Sequence, residues 1–289
     1  MYLRPESVDE ALAAMAARPL TVLAGGTDFY PARVGRPVTE DILDLSRLVE
    51  LRGIRDEGAH WRIGALTTWT DLVRAELPPV FRALQQAARE VGGVQIQNAG
   101  TVAGNLCNAS PAADGAPPLM SLGAQVELRR ADAARVVPLT DFIVGNRATQ
   151  RGAEELVTGI LVPKWAAQDR HSARSLFLKL GARRYLVISI VMVSLAIEIS
   201  PTGKITRCGI AVGACSPAAK RLTVLEKKLL GHRLTPDIAA LPVAEHFAAL
   251  APIDDVRASA DYRREAAVEL VRRGLAQLAA DAGQGTDWS

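Results

Sequence analysis

The sequence predicts an α+β protein assembled from three small lobes. Short apolar runs of strand length alternate with amphipathic helical faces early in the chain; a polar, small-residue stretch divides its middle; and apolar strands recur late, before two helical segments. At 289 residues the chain is long for one simple domain and short for several large ones. Hydrophobic residues at 49% and charged residues at 22% stand in ordinary globular proportion, which argues against disorder and against a fibrous chain.

The first lobe is assigned to residues 1–55. Ser7 followed by Glu10 has the capping-box pattern, and Val8, Leu12 and Met15 then share a helical face that Arg18-Pro19 ends. Leu20 to Ala24 reads as a short buried strand running into Gly25-Gly26, and Asp41 to Leu45 as the next strand. The second lobe is assigned to residues 56–170. Trp61 to Ala65 alternates like a strand, Thr70 is placed to cap a short helix, and Phe81, Leu84, Ala88 and Val91 form a helical face closed by Gly92-Gly93. Gln95 to Pro118 is too irregular in pattern for core. Strands are expected at Gln125 to Arg129 and Glu155 to Val162, with a turn at Thr140-Asp141-Phe142. The third lobe, residues 171–289, begins in polar His171 to Arg174. It continues as strands at Ser175 to Leu180, Leu186 to Ile199 and Cys208 to Ala214. Leu222, Leu225 and Leu229 then mark a helix ended by Gly231, and Ser259 caps a last helix carrying Val271, Leu275 and Leu278 on one face.

Several function classes lose support at once. A formal net charge of +3, with no Lys/Arg block interleaved with aromatics, leaves nucleic acid without an electrostatic footprint. Cys107, Cys208 and Cys215 contain no C-x-x-C pair, and His60, His171, His232 and His246 are scattered, so neither a metal site nor an iron–sulfur cluster is expected in this chain. The start Met1-Tyr2-Leu3-Arg4-Pro5-Glu6 lacks the pattern of a secretory signal, and the most apolar stretch is too short to span a bilayer, so a cytoplasmic protein without disulfides is expected.

Two segments invite a phosphate. A strand that ends in Ala24-Gly25-Gly26-Thr27-Asp28 suits an anion, because glycine accepts unusual dihedrals and lets several backbone N–H groups converge, while Thr27 adds a hydroxyl. Thr101-Val102-Ala103-Gly104-Asn105 has the same ingredients. Each alone is equally well a tight turn. Neither fits the G-x-G-x-x-G fingerprint or the P-loop.

As an ordered pair about 75 residues apart, the two segments resemble the FAD-binding medium subunit of the molybdenum hydroxylases, the family that includes carbon monoxide dehydrogenase and the flavin domain of xanthine dehydrogenase. The resemblance covers almost the whole chain. It runs from the first helix through Thr101 to Asp114 (TVAGNLCNASPAAD) and ends with Asp255 to Arg264 (DVRASADYRR). It implies a two-lobed FAD-binding fold of the vanillyl-alcohol-oxidase-like (PCMH) type, followed by a C-terminal α/β lobe of antiparallel sheet and helices.

The resemblance also implies site residues. Ala24, Gly25, Gly26, Thr27, Asp28, Phe29 and Tyr30 would wrap the FAD diphosphate, and Thr101, Ala103, Gly104 and Asn105 would meet it from the second lobe. Asp114 would accept hydrogen bonds from FAD, whose hydroxyls and flavin N3–H are donors; the alternative for it is an Asx turn before Gly115. Val157 would be an apolar or backbone contact, and Lys179 would approach the flavin from the third lobe. Tyr185 either stacks on the isoalloxazine or heads an apolar strand with a wet hydroxyl. Just beyond Lys179, where relatives carry an acidic residue, this chain has Val187. Cys107 reads as packing rather than redox chemistry. With no nucleophile in the first segment, non-covalent FAD is expected.

The family division of labour implies an electron-transfer role within an oxidoreductase. A large molybdopterin-binding subunit would oxidise substrate, a small subunit would relay electrons through two [2Fe–2S] clusters, and FAD here would pass them to an external acceptor, in a dimer of heterotrimers. Two other readings stand beside it: a stand-alone flavin oxidoreductase with its own substrate, and an assembly subunit that has lost FAD.

Overall fold

A computed structural model describes residues 1–166 and 172–283. Ser7 Oγ accepts the Glu10 N–H and opens helix α1 (Val8–Ala17), while the Glu10 carboxylate reaches back to the N–H of Glu6, one residue beyond the usual reciprocal cap. The helix buries Val8, Leu12 and Met15, the face read from the sequence, together with Ala11, against Leu43, Leu45, Leu48 and Leu51. Beneath it lies a small parallel sheet. Strand β1 (Tyr2–Leu3) and strand β2 (Thr21–Leu23) flank β3 (Ile42–Asp44).

The second unit is built on an antiparallel sheet, in chain order β4 (Ile54–Asp56), β5 (His60–Gly64), β6 (Gln125–Arg130), β7 (Ala133–Pro138) and β10 (Leu156–Pro163). In space the order is β4-β5-β10-β6-β7. The long excursion between β5 and β6 carries helices α2 (Trp69–Arg74), α3 (Arg82–Glu90), α4 (Val94–Ala99), α5 (Val102–Asn108) and α6 (Ala116–Ser121); after β7, α7 (Leu139–Phe142) leads into the hairpin β8 (Ile143–Gly145) and β9 (Ala148–Thr149).

Three expectations need correction here. Thr68, not Thr70, caps α2, because its hydroxyl and the Asp71 carboxylate satisfy each other's backbone N–H; Thr70 instead donates to Asn98. The stretch from Gln95 to Pro118 does contribute core: Val102, Leu106, Ala116, Pro117 and Pro118 are buried on helices only one or two turns long, too short to display a period. Thr140-Asp141-Phe142 belongs to the single helical turn α7, which buries Leu139 and Phe142.

The C-terminal unit is an antiparallel sheet, β11 (Ala173–Leu180), β12 (Val191–Ile199), β13 (Ile205–Gly213) and β14 (Lys220–Arg221), in that order. Helices α8 (Thr223–Leu229) and α9 (Ala260–Gly283) pack on one face through Leu225, Leu229, Val271, Leu275 and Leu278. The other face meets α6 and α3, where Ser121 and Ser194 share a hydrogen bond of 2.8 Å. Burial on both faces explains why β12 is a run mostly apolar on both faces, broken only by Ser194 and Glu198, rather than an alternating one.

That run begins later than the composition suggests. Leu186 to Ile190 is not strand: Leu186 has φ 51°, the Arg183 side chain donates to the Tyr185 and Leu186 carbonyls, and pairing resumes only where Ile190 N–H reaches Leu180 O. Tyr185, Leu186 and Ile188 are consequently exposed on a loop, not heads of a buried strand. His171, and the position assigned as the boundary between the second and third lobes, lie outside the described residues.

Candidate functional site

Strand β2 delivers the first glycine segment to the seam between the parallel sheet and the second unit. Gly26 has φ 71°, a left-handed turn that reverses the chain after Gly25. Among the described residues no acceptor pairs with the backbone N–H groups of Gly25, Gly26, Thr27, Asp28 or Phe29. Five consecutive unspent donors around a left-handed residue form an anion-binding concavity. A Cβ on Gly25 would stand 1.9 Å from the carbonyl oxygen of Ala99, so this segment lies directly against the end of α4.

The second segment is not a loop, as the sequence suggested, but the first turn of a helix. Thr101 Oγ accepts the N–H of Gly104 at 3.0 Å and opens α5, while Val102 N–H is spent on Thr67 O. The two segments touch: the position of a Cβ on Gly100 is 3.4 Å from Thr27 Oγ1. Asn105, one turn further along, has a buried Oδ1 without a partner among the described residues.

Together they wall a cleft of about 1060 Å³. That is the upper end of the ~300–1,000 Å³ that small-molecule and cofactor sites occupy. Of the sequence-selected residues, Ala24, Gly25, Gly26, Thr27, Asp28, Phe29, Thr101, Ala103, Gly104, Asn105 and Val157 line it. Val157 is buried beside a β-bulge in β10, which turns that strand's backbone at the cleft wall. Tyr30 is exposed behind the turn, with its ring against Gly26 and edge-on to Phe29.

Asp114, Lys179 and Tyr185 are not in that wall. Asp114 and Lys179 form an almost fully buried ion pair at 2.7 Å, and Ser189 Oγ donates to the other Asp114 oxygen at 2.8 Å. Burial pushes the Asp114 carboxyl above its usual range, against the opposing pull of Lys179 and Ser189. An Asx turn is not what Asp114 makes. The pair abuts one end of the cleft: Lys179 also donates to Glu90 O, next to Val91 in the wall, and Gly115 packs on Trp69 and Asn105. Tyr185 sits on the exposed loop that Ser189 ties to Asp114.

Sequence reasoning missed other residues that line the cleft: Arg147 and Thr149 on the β8–β9 hairpin, Arg151 just after it, and Trp69 at the start of α2. The Gly145-Asn146 dipeptide was the available signal for that hairpin. Cys107 also lines the cleft, and burial pushes its thiol up to about 11, so it stays protonated. No group of His, Cys, Asp and Glu among the described residues is arranged to hold a metal ion, and no helix among them is long and apolar enough to cross a membrane.

Residues 1–165 match the family described as the FAD binding domain in molybdopterin dehydrogenase, and residues 177–278 match the CO dehydrogenase flavoprotein C-terminal domain. The chain is 32% identical over 256 residues to the nicotinate dehydrogenase FAD-subunit of Eubacterium barkeri, covering 84% of each chain. It is 31% identical to the glyceraldehyde dehydrogenase medium chain of Sulfolobus acidocaldarius, covering 96% of this chain and 98% of that one. Among solved structures, the carbon monoxide dehydrogenase of Hydrogenophaga pseudoflava contains a chain that superposes with a TM-score of 0.84 at 29% identity, covering 97% of both chains. The architecture is thus the α+β fold the sequence resemblance implied. With the first glycine segment and the capped first turn of α5 lining one cofactor-sized cleft, and with both of its domains matched, this chain belongs to the family of FAD-binding oxidoreductase subunits of the molybdopterin dehydrogenases.

Proposed function

We propose that this chain is the electron-transfer subunit of a multi-subunit molybdenum hydroxylase, in which FAD receives electrons from the [2Fe–2S] clusters of a small partner and passes them to an external acceptor. A large molybdopterin-binding subunit would complete the complex, as a dimer of heterotrimers. The observation that carries the reading is the row of unspent N–H groups from Gly25 to Phe29, facing the same cleft as the first turn of α5. Such a row fits a diphosphate and gives little purchase to a neutral substrate.

The fit extends along the cleft. Thr27 and Thr101 supply hydroxyls, Gly104 admits close approach, and the orphaned Asn105 Oδ1 is an acceptor awaiting a donor. Val157 offers apolar contact. Asp114 and Lys179, a buried pair at one end, are suited to hold the hydroxyl-bearing or ring portion of the cofactor, with Tyr185 on the adjoining loop. Bound FAD supplies one- and two-electron chemistry; the chain's part is to bind it, orient it and set its surroundings. Binding is non-covalent in this reading, because the first glycine segment, Ala24 to Tyr30, offers no His or Cys to attach a flavin. The relatives' names, nicotinate and glyceraldehyde dehydrogenases, denote unlike substrates on a shared scaffold, which supports a role in electron passage rather than substrate recognition.

The test is to isolate the chain with the subunits that copurify, record the visible spectrum, and follow bleaching on addition of reductant. Flavin absorbance that bleaches only when an iron–sulfur partner is present supports the proposal. No flavin would leave an assembly role, and flavin reduced by a small substrate without partners would establish a stand-alone enzyme instead.

A further inference from the structure

The β8–β9 hairpin turns through Asn146 and Arg147, and Arg147 adopts φ 57°. That position of a two-residue hairpin ordinarily holds glycine or asparagine, because a longer side chain pays on the order of 1 kcal/mol for the left-handed conformation. The strain is shared: Arg147 N–H donates at 2.9 Å to the carbonyl of Ala109, itself left-handed at φ 47° at the end of α5. Residues held this way persist where the side chain is needed.

The side chain lies where a need exists. Arg147 lines the cleft, its guanidinium donates to Asn108 Oδ1 at the end of α5, and it approaches Asp28 of the first cradle at 4.0 Å, so it reaches from the hairpin to the first glycine segment. The other cations of the wall are committed. Arg33 is held by Glu40 at 2.6 Å and stacks on Phe29, while Arg151 donates to the carbonyls of Gly152 and Glu155, and Glu155 in turn is taken by Arg135. Arg147 has an amide oxygen and a carboxylate at the outer limit of ion pairing, and its side chain is 58% exposed, so contact with a ligand breaks no close ion pair.

We infer that Arg147 is a diphosphate-binding residue, a guanidinium clamp that closes over the backbone cradles and neutralises the cofactor's charge. The inference rests on the reading of this cleft as the FAD site. Backbone N–H groups orient a diphosphate but carry only partial charge, whereas a guanidinium supplies a full charge and a two-pronged fork matched to phosphate oxygens.

The strain makes the test selective. Arg147→Gly removes the guanidinium and relieves the backbone, so a residue kept for structure and one kept for the ligand give opposite results. Wild type, Arg147→Gly and Arg147→Lys are isolated identically with the subunits that copurify and stripped of flavin. Each is melted in the flavin-free state, then titrated with FAD at low and high salt by quenching of flavin fluorescence. The expected result for Arg147→Gly is a Kd raised ~tenfold at low salt, as for loss of one partly exposed charge-assisted hydrogen bond. Its salt dependence should be shallower, and its flavin-free melting temperature equal to or above wild type; Arg147→Lys should fall between. Unchanged FAD affinity in Arg147→Gly overturns the assignment, as does lost affinity accompanied by a lower flavin-free melting temperature. A wild type that takes up no FAD overturns the underlying reading of the cleft, a result distinct from either.

Discussion

The close approach of Gly25 to Ala99 makes one substitution unusually informative. In Gly25→Ala the new methyl would lie 1.9 Å from Ala99 O and 2.7 Å from Ala99 C, both backbone atoms that no rotamer change removes. Ordinary contact requires the two segments to part by about 1.5 Å, and overpacking of that kind costs about 1–3 kcal/mol when the surroundings relax. Here relaxation means separating the first cradle from α4 and α5, so stability and ligand geometry fall together. The expectation is a stability loss of about 2 kcal/mol in urea and an FAD affinity lowered by at least tenfold. Gly35→Ala is the control. Gly35, unlike Gly25, is left-handed at φ 73°, but a Cβ there meets nothing within 4 Å. It should cost about 1 kcal/mol through backbone strain alone and leave FAD affinity untouched. If Gly25→Ala keeps wild-type stability and binds FAD within a factor of two, the two cradles are not a rigid unit and the argument fails.

Other outcomes follow from the charges and thiols. Lys179→Met strands the Asp114 carboxylate among buried groups and should cost about 3–5 kcal/mol by chemical denaturation, much of it recovered in the double variant Lys179→Met/Asp114→Leu. Hydrogen bonds from Arg62 hold the Glu127 carboxyl below its ordinary range against desolvation, with Thr158 assisting. A depressed folded-state value gives stability that is complete above the unfolded value and is lost as pH falls through the folded one, so Glu127→Gln should flatten the acid limb of a plot of melting temperature against pH. Burial pushes the Cys107 thiol up to about 11 and those of Cys208 and Cys215 up to about 12. Alkylation at neutral pH, followed by mass spectrometry, should therefore leave the buried Cys208 and Cys215 unlabelled until the chain unfolds, while Cys107, partly exposed in the cleft wall, reacts slowly in the folded state.

The elements legible beforehand were those whose own period or punctuation is strong. Helix α1 showed Ser7 and an apolar face, and α9 showed Ser259 and the row Val271, Leu275, Leu278; these caps and faces proved as patterned, while Glu10 closes its cap on Glu6 rather than Ser7. The first glycine segment was legible because glycine pairs after a strand have few uses. What misled was apolarity without context. Leu186 and Ile188 look like strand, yet they are solvent-exposed on a loop fixed by the Arg183 side chain and by a left-handed Leu186. Val102, Leu106 and Ala116 look like loop, yet they are core, since helices of six or seven residues are held by packing and not by a readable repeat.

The sequence by itself determined the family, because the two glycine-bearing segments, their order and the stretch from Thr101 to Asp114 together form a pattern that neither segment makes alone. Only the tertiary structure decided what closes the cleft. Asp114 and Lys179 are 65 positions apart and meet as a buried pair. Arg147 comes to the cradles from a hairpin whose tip is 119 positions beyond Asp28. Long-range pairings of this kind follow from which sheets and helices bury one another. A charge acquires its role from the groups that packing brings within reach of it, and no local pattern in the chain records that.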